Sequence, residues 1–452
     1  MASCMEHFRR SVAKLVPSRD AAVAVAVSGG SDSVALTYLA RQVFQRVVGI
    51  TVDHRLRPES SQEAVKTGSI VTGIGAEHHV IPLEWPARPD PGKVQLAARQ
   101  KRYEALFRFC REKKIRYLMT AHHMDDQLGT FLTRLSMGSS IDGLAGMKEA
   151  IAWYQSPETR LLRPLLHCTK VCTENHLDWV EDPSNASDVY KRNRINKALA
   201  IHSELRAGLG SLVETCSLAR DVLQKKALHA MSSNGMVHVD QLYGYAKVSW
   251  PQYCHLDRPV AKRVLLALSH YTSGQDAMPH YLALSRAHQM LTEGKAKATN
   301  MTLGMSILVP ADEVTFIVSR SKPPNSSADL TPIVLGETIL WDKRFEITLS
   351  QLEPHTPPTS KQFYVRHMLT VDWELARKGI RKVRTVALPP EMIRGGLPVI
   401  VNEDRKVVLI PHFKVIERSA GVACKLKFAP QKSLEYCLLG CYEMEGKCNM
   451  PL

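Results

Sequence analysis

The stretch "AVAVAVSGGSDSVAL", Ala22–Leu36, decides how the rest of the chain is read. An apolar run of strand length breaks at Ser28-Gly29-Gly30-Ser31-Asp32-Ser33 and then resumes at helical spacing. Gly29 and Gly30 let the backbone turn tightly and bring N–H groups close to a ligand. The helix that follows points its positive end into the same loop, and Ser28, Ser31 and Ser33 add hydroxyls. Together these features make a cradle of a size suited to pyrophosphate. No lysine follows the glycines at Walker A spacing, and the dinucleotide pattern G-x-G-x-x-G is absent. For the small residues alone, a plain strand-to-helix turn capped by serine would suffice. Asp32 changes the balance. A carboxylate beside bound phosphates repels them unless a divalent cation lies between, so a Mg2+ site is expected there.

Outward from the loop, strand and helix patterns alternate. Ala21–Val27 reads as a buried strand, Val34–Phe44 as a helix, and Val47–Asp53 and Glu77–Leu83 as strands. Val94–Lys113 reads as a long helix, Arg116–Ala121 as a strand and Asp125–Met137 as a helix. This order predicts an α/β fold with a doubly wound parallel sheet, whose ligands sit at the carboxyl ends of the strands. Beyond Asn196 the pattern is helical to about Ser232, with more helices near Arg258–Tyr271 and Tyr281–Leu291. The Pro/Ser-rich "KPPNSSADLTP", Lys322–Pro332, reads as a linker. Three parts are expected: residues 1–200, a mainly helical region 201–325, and a small strand-rich α+β domain, 326–452.

The chain has 452 residues and a formal net charge of +15. Lys and Arg outnumber Asp and Glu by 28 to 21 in residues 1–200 and by 31 to 23 in the rest. The excess is therefore spread along the chain, which suits an extended polyanionic partner. No segment is long and apolar enough for a membrane span, so no membrane is expected. Ten cysteines without a Cys-x-x-Cys pair read as free thiols in a reducing compartment. Phe8, Val12, Leu15 and Val16 form one helical face, so the basic N-terminus reads as the domain's own first helix. A short targeting peptide is the other reading.

The loop resembles the SGGxDS signature of the PP-loop ATP pyrophosphatases. Four further stretches resemble the tRNA(Ile)-lysidine synthetase family in order and spacing: "TVDHRLRPES" (Thr51–Ser60), "AARQKRY" (Ala97–Tyr103), "AHHMDDQ" with "SIDGLAGM" (Ala121–Met147), and "LDWVEDPSNASDVYKRNRIN" (Leu177–Asn196). Looser matches follow at "WDKRFEITL" (Trp341–Leu349) and "VVLIPHF" (Val407–Phe413). The resemblance implies a PP-loop ATPase fold of the adenine-nucleotide α-hydrolase type in 1–200, tRNA binding by 201–325, and ATP with Mg2+ as cofactors. It implies that a wobble cytidine of a CAU-anticodon isoleucine tRNA is adenylated by ATP and then joined to free lysine at C2, with AMP released. A PP-loop tRNA thiolase is the alternative enzyme, although that chemistry calls for a cysteine or iron–sulfur ligand set. A homodimer is one assembly considered.

Under this resemblance Ser28, Gly29, Gly30, Ser31, Asp32, Ser33, Asp53 and His54 bind ATP. Asp32 and Asp126 hold the metal, and His123, Arg99 and Arg102 complete the catalytic set. Arg192, Asn193 and Arg194 contact tRNA. Bland readings stand beside several of these: Asp125 as a helix cap, Asp53 as a turn cap, and the arginines as a solvated face. Two departures stand out. Gly129 occupies the position of a family Glu, and the interval after Arg163-Pro164-Leu165-Leu166 is short. Gly129 motivates a third reading, a tRNA-binding relative with a decayed site. The expected setting is intracellular: an organelle such as the mitochondrion if the source is eukaryotic, otherwise the cytoplasm.

Overall fold

The computed structural model describes residues 2–85, 94–153, 156–168, 177–180, 203–233, 235–274, 281–295, 299–323, 329–352, 360, 362–380, 389–413, 415–416 and 421–439. The chain divides into two compact units, with Met1–Asp221 in the first and Val222–Cys441 in the second.

In the first unit the order is α1 (Ala2–Leu15), β1 (Val23–Ala26), α2 (Ser31–Arg41), β2 (Val47–Asp53), α3 (Ser60–Gly73) and β3 (Glu77–Pro82). Then come α4 (Val94–Glu112), β4 (Tyr117–Met119), α5 (Met124–Ser136), α6 (Ile141–Leu144), β5 (Ala150–Trp153) and β6 (Ser156–Leu162). Helix α7 (Ser203–Ser232) crosses the unit boundary. The sheet order is β3-β2-β1-β4-β6-β5. Five strands run parallel, and β5 joins β6 antiparallel at the edge. β1 pairs with β2 on one side and β4 on the other, so the strand order reverses beside it, where such sheets bind ligands.

The alternation in "AVAVAV" sets the two faces of β1. Val23, Val25 and Val27 lie in one core with Phe8, Val12 and Val16 of the N-terminal segment and Leu36 and Leu39 of α2. Ala24 lies in the other, against Tyr103, Leu106 and Phe107 of α4. Small residues on that side make room for the aromatic rings of α4. The expected N-terminal helix is present, buried through Phe8 and Val12. Helix α2 begins at Ser31, three residues before the expected start, because extended Gly30 already serves as its N-cap. Helix α3 and the β5–β6 hairpin have no counterpart in the expected order.

The second unit contains three antiparallel sheets among its described residues. One has β7 (Val237–Asp240), β8 (Tyr245–Ser249), β9 (Met301–Leu303), β10 (Ser306–Pro310) and β11 (Thr315–Arg320) in the order β7-β8-β11-β10-β9. These strands stand beside the long helices Arg258–Ser273 and Tyr281–Thr292 within the stretch expected to be mainly helical. Further sheets are built on Thr331–Ile333, Phe363–His367, Pro398–Asn402, Val407–Ile410 and Val415–Ile416, and on Thr338–Trp341, Phe345–Gln351 and Val422–Phe428. Their core includes Trp341, Phe345, Ile347, Val399, Ile400 and Phe413. Among the described residues no helix is long and apolar enough to cross a membrane.

Candidate active site

The loop after β1 is held in shape by its own serines. Ser33 Oγ donates to the Gly30 carbonyl at 2.8 Å and accepts the Ser28 N–H at 3.2 Å. Its hydroxyl therefore staples the loop. Gly29 has φ +90, and a Cβ there would stand 2.6 Å from Thr67 Oγ1, so only glycine fits. Val180 N–H donates to the Gly29 carbonyl at 2.9 Å, tying part of the "LDWV" stretch to the loop. Ser31 and Asp32 open α2 after its N-cap Gly30, and the first backbone N–H groups of a helix have no acceptor within it.

The loop between β4 and α5 supplies the second half. His123 is the extended N-cap of α5, and its backbone N–H donates to Asp126 Oδ2 at 3.0 Å. Its Nδ1 accepts the Asp125 N–H at 3.2 Å, which leaves Nε2 facing Asp32 Oδ2 at 3.6 Å. Burial opposes charge on this ring, but the hydrogen bond to Asp32 and the carboxylates of Asp126, Asp32 and Asp125 outweigh it and raise its pKa. A second proton, on Nδ1, would break the cap on Asp125. The structure thus brings Asp32, His123 and Asp126 together.

Asp32 Oδ1 is buried and has no hydrogen-bond partner among the described residues. No group of three or more His, Cys, Asp or Glu side chains among them forms a complete metal cage. One unsatisfied carboxylate oxygen beside an anion cradle fits Mg2+, which is commonly held by one or two carboxylates together with phosphate oxygens.

A second cluster lies around α4. The guanidinium carbons of Arg99 and Arg102 stand 5.4 and 5.5 Å from the Tyr103 ring centre. Burial favours the neutral phenol of Tyr103, yet the charges of Arg99, Arg163 and Arg102 lower its pKa overall. Burial, with the Arg102 charge added, also depresses the His54 pKa, and His54 Nδ1 is buried without a hydrogen-bond partner among the described residues. Arg99, Arg102 and His54 thus share one neighbourhood. Asp53 turns its carboxylate into its own loop, accepting from Ser60 Oγ at 2.7 Å, Ser61 Oγ at 2.6 Å and Arg55 N–H at 3.0 Å. Arg192, Asn193 and Arg194 lie outside the described residues.

Three residues at this site escaped the sequence reading. Arg206 of α7 forms an ion pair with Asp125. Tyr103 organises the arginine pair. Gln127 clamps the loop after α6, donating through Nε2 to the Met147 carbonyl at 2.9 Å and accepting its N–H at 2.7 Å. Gly146 has φ +65, and a Cβ there would stand 2.4 Å from Gln127 Oε1. The only sequence signal for this clamp was the pairing of "DDQ" with a downstream Gly-Met.

Residues 4–202 match the PP-loop domain family. The chain is 31% identical to the tRNA(Ile)-lysidine synthase of Wolbachia pipientis wMel over 342 residues, 72% of this chain and 77% of that one. It is 35% identical to the tRNA(Ile)-lysidine synthase of Orientia tsutsugamushi (strain Boryong) over 414 residues, 87% of this chain and 89% of that one. Among solved structures, a U34-tRNA thiolase from Methanococcus maripaludis is similar at TM-score 0.39 and 16% identity, covering 48% of this chain and 78% of that one. With relatives of this identity matched over most of their length, and with the PP-loop domain match covering residues 4–202, the chain belongs to the tRNA(Ile)-lysidine synthase family of PP-loop enzymes.

Proposed function

We propose that the protein joins free lysine to C2 of the wobble cytidine of a CAU-anticodon isoleucine tRNA, in two steps at one site. The cytidine O2 attacks the α-phosphorus of ATP and pyrophosphate leaves. The lysine ε-amine then attacks C2, and AMP leaves. The observation that carries this reading is the facing pair of loops: a glycine cradle on β1 and a His-Asp-Asp helix start on β4.

Each group has a task that suits its setting. The backbone N–H groups opening α2 would receive the charge that develops on the departing pyrophosphate. Asp32 and Asp126 would hold Mg2+, which supplies charge neutralisation when bound. His123, with Nε2 toward Asp32, would position that carboxylate and contact the phosphates. His54 would meet the adenosine at the end of β2, and Arg99 and Arg102 would bind phosphate or base. Arg192, Asn193 and Arg194 are assigned to tRNA, with residues 201–325 extending that surface and 326–452 as the strand-rich remainder of the second unit. The positive charge spread over both halves of the chain supports this division.

The test is incorporation of labelled lysine into the tRNA. A CAU-anticodon isoleucine tRNA should take up label in the presence of ATP, and the same tRNA with uridine at the wobble position should not. Equal labelling of both, or of neither, would defeat the proposal.

A further inference from the structure

Cys4 and Cys168 are remote in sequence, yet their sulfurs lie 3.9 Å apart. Cys4 is partly exposed on α1, and Cys168 is buried in the turn after β6. The contact belongs to a longer seam. Cys4, His7, Ser11 and Lys14 fall on one stripe of α1. His7 lies 6.2 Å from His167, ring centre to ring centre. Ser11 and Lys14 bond Glu149 at 3.4 and 3.1 Å. This seam holds the two thiols side by side. Both are free cysteines, so the pair is a dithiol.

The turn that carries Cys168 also holds the active site. The Cys168 carbonyl accepts the Met124 N–H at 2.8 Å, and Met124 is the first residue of α5, between His123 and Asp125. We propose that Cys4 and Cys168 are a peroxide-sensitive dithiol, whose oxidation to a disulfide displaces the start of α5 and weakens ATP binding. This rests on the ATP site assigned above, though not on lysine transfer.

Cys4 is the more accessible of the two thiols, and the hydrogen bond from Cys168 lowers its pKa, so Cys4 is the nucleophile. Its thiolate sulfur attacks one oxygen of hydrogen peroxide. The O–O bond breaks, hydroxide leaves and is protonated to water, and Cys4 becomes a sulfenic acid. The Cys168 sulfur attacks that sulfur, the S–O bond breaks, and the departing hydroxide takes the Cys168 proton. Two thiols and one peroxide give one disulfide and two waters; the sulfurs lose two electrons and the peroxide gains them. A disulfide of about 2.0 Å requires the seam to close by roughly 2 Å. The Cys168 carbonyl moves with it, and displacements of about 1 Å at a site of this kind can cost on the order of a hundredfold in rate.

The experiment treats the full chain with limiting hydrogen peroxide and reads two quantities. Non-reducing peptide mapping should find Cys4 linked to Cys168, and calorimetry should find ATP binding weakened about tenfold, restored by dithiothreitol. Cys4→Ser should bind ATP as the untreated protein does and should ignore the same peroxide dose. The inference is overturned if other cysteines react while this link never forms. Linked protein binding ATP normally would overturn it too, as would Cys4→Ser responding like the parent. Failure of lysine transfer in reduced protein would count against the proposed function, and the link and the ATP affinity would still be read.

Discussion

His123 Nε2 lies 3.6 Å from Asp32 Oδ2, joining the helix start after β4 to the glycine loop after β1. Asp32 contributes charge at that point, and one of its oxygens has no hydrogen-bond partner among the described residues. Asp32→Asn should therefore abolish lysine transfer, at least a hundredfold, and change stability by less than about 1 kcal/mol. Transfer assays beside thermal melts check this. Retained activity would remove Asp32 from the chemistry.

The two loop glycines should separate on substitution. Gly29→Ala forces a side chain into φ +90 and against Thr67, so it should cost about 1–3 kcal/mol as well as ATP binding. Gly30 has φ -70, and the nearest atom to an added Cβ is Ser28 Oγ at 3.7 Å. Gly30→Ala should leave the melting temperature nearly unchanged and weaken ATP binding alone. Equal stability losses in both variants would contradict this account of the loop.

Gly129 lies buried on α5, one turn on from Asp125 and three residues from Asp126. A Glu there would share their face, so Gly129→Glu should lower the Mg2+ concentration needed for half-maximal rate. Three neighbouring carboxylates repel one another without metal, and a side chain added at a buried glycine must be accommodated by its neighbours, so the melting temperature should fall and is compared in saturating Mg2+. An unchanged Mg2+ requirement would place position 129 away from the metal.

His412 and His367 are buried in the second unit, and burial pushes both pKa values down to about 4. Their ordinary value is 6.5. Below that pH the unfolded chain binds protons that the folded unit refuses. Stability should be full above pH 6.5, fall as pH drops toward 4, and level off below it. Each histidine contributes about 3 kcal/mol to that fall. Urea midpoints from pH 7.5 to pH 4 measure it. His412→Gln, which can still donate to the Leu242 carbonyl, should remove about half of the slope.

Most of the region from β1 through α5 was legible because its signals are local. Valines alternate with alanines, two glycines sit in a serine-rich turn, and two carboxylates follow a strand. Helix α3 was missed because "SSQEAVKTGSIVTG" carries Gly, Ser and Thr inside it and buries only Ala64, Thr67 and Val71. The β6 sequence "SPETRLL" was missed because it opens on proline and charge, and its pairing with β4 supplies the order. Asp53 carried two readings, a nucleotide contact and a turn cap, and its bonds to Ser60, Ser61 and the Arg55 N–H are those of the turn cap. The pairing of Arg206 with Asp125 joins distant helices and leaves no periodic trace.

Adenylation at a pyrophosphate cradle fixes which bond of ATP breaks, and the products of ATP cleavage reveal that bond. With CAU-anticodon isoleucine tRNA and lysine present, ATP should yield AMP and pyrophosphate in equal amounts, matched one for one by lysine in tRNA. ADP with inorganic phosphate would contradict it, as would no ATP cleavage at any Mg2+ concentration.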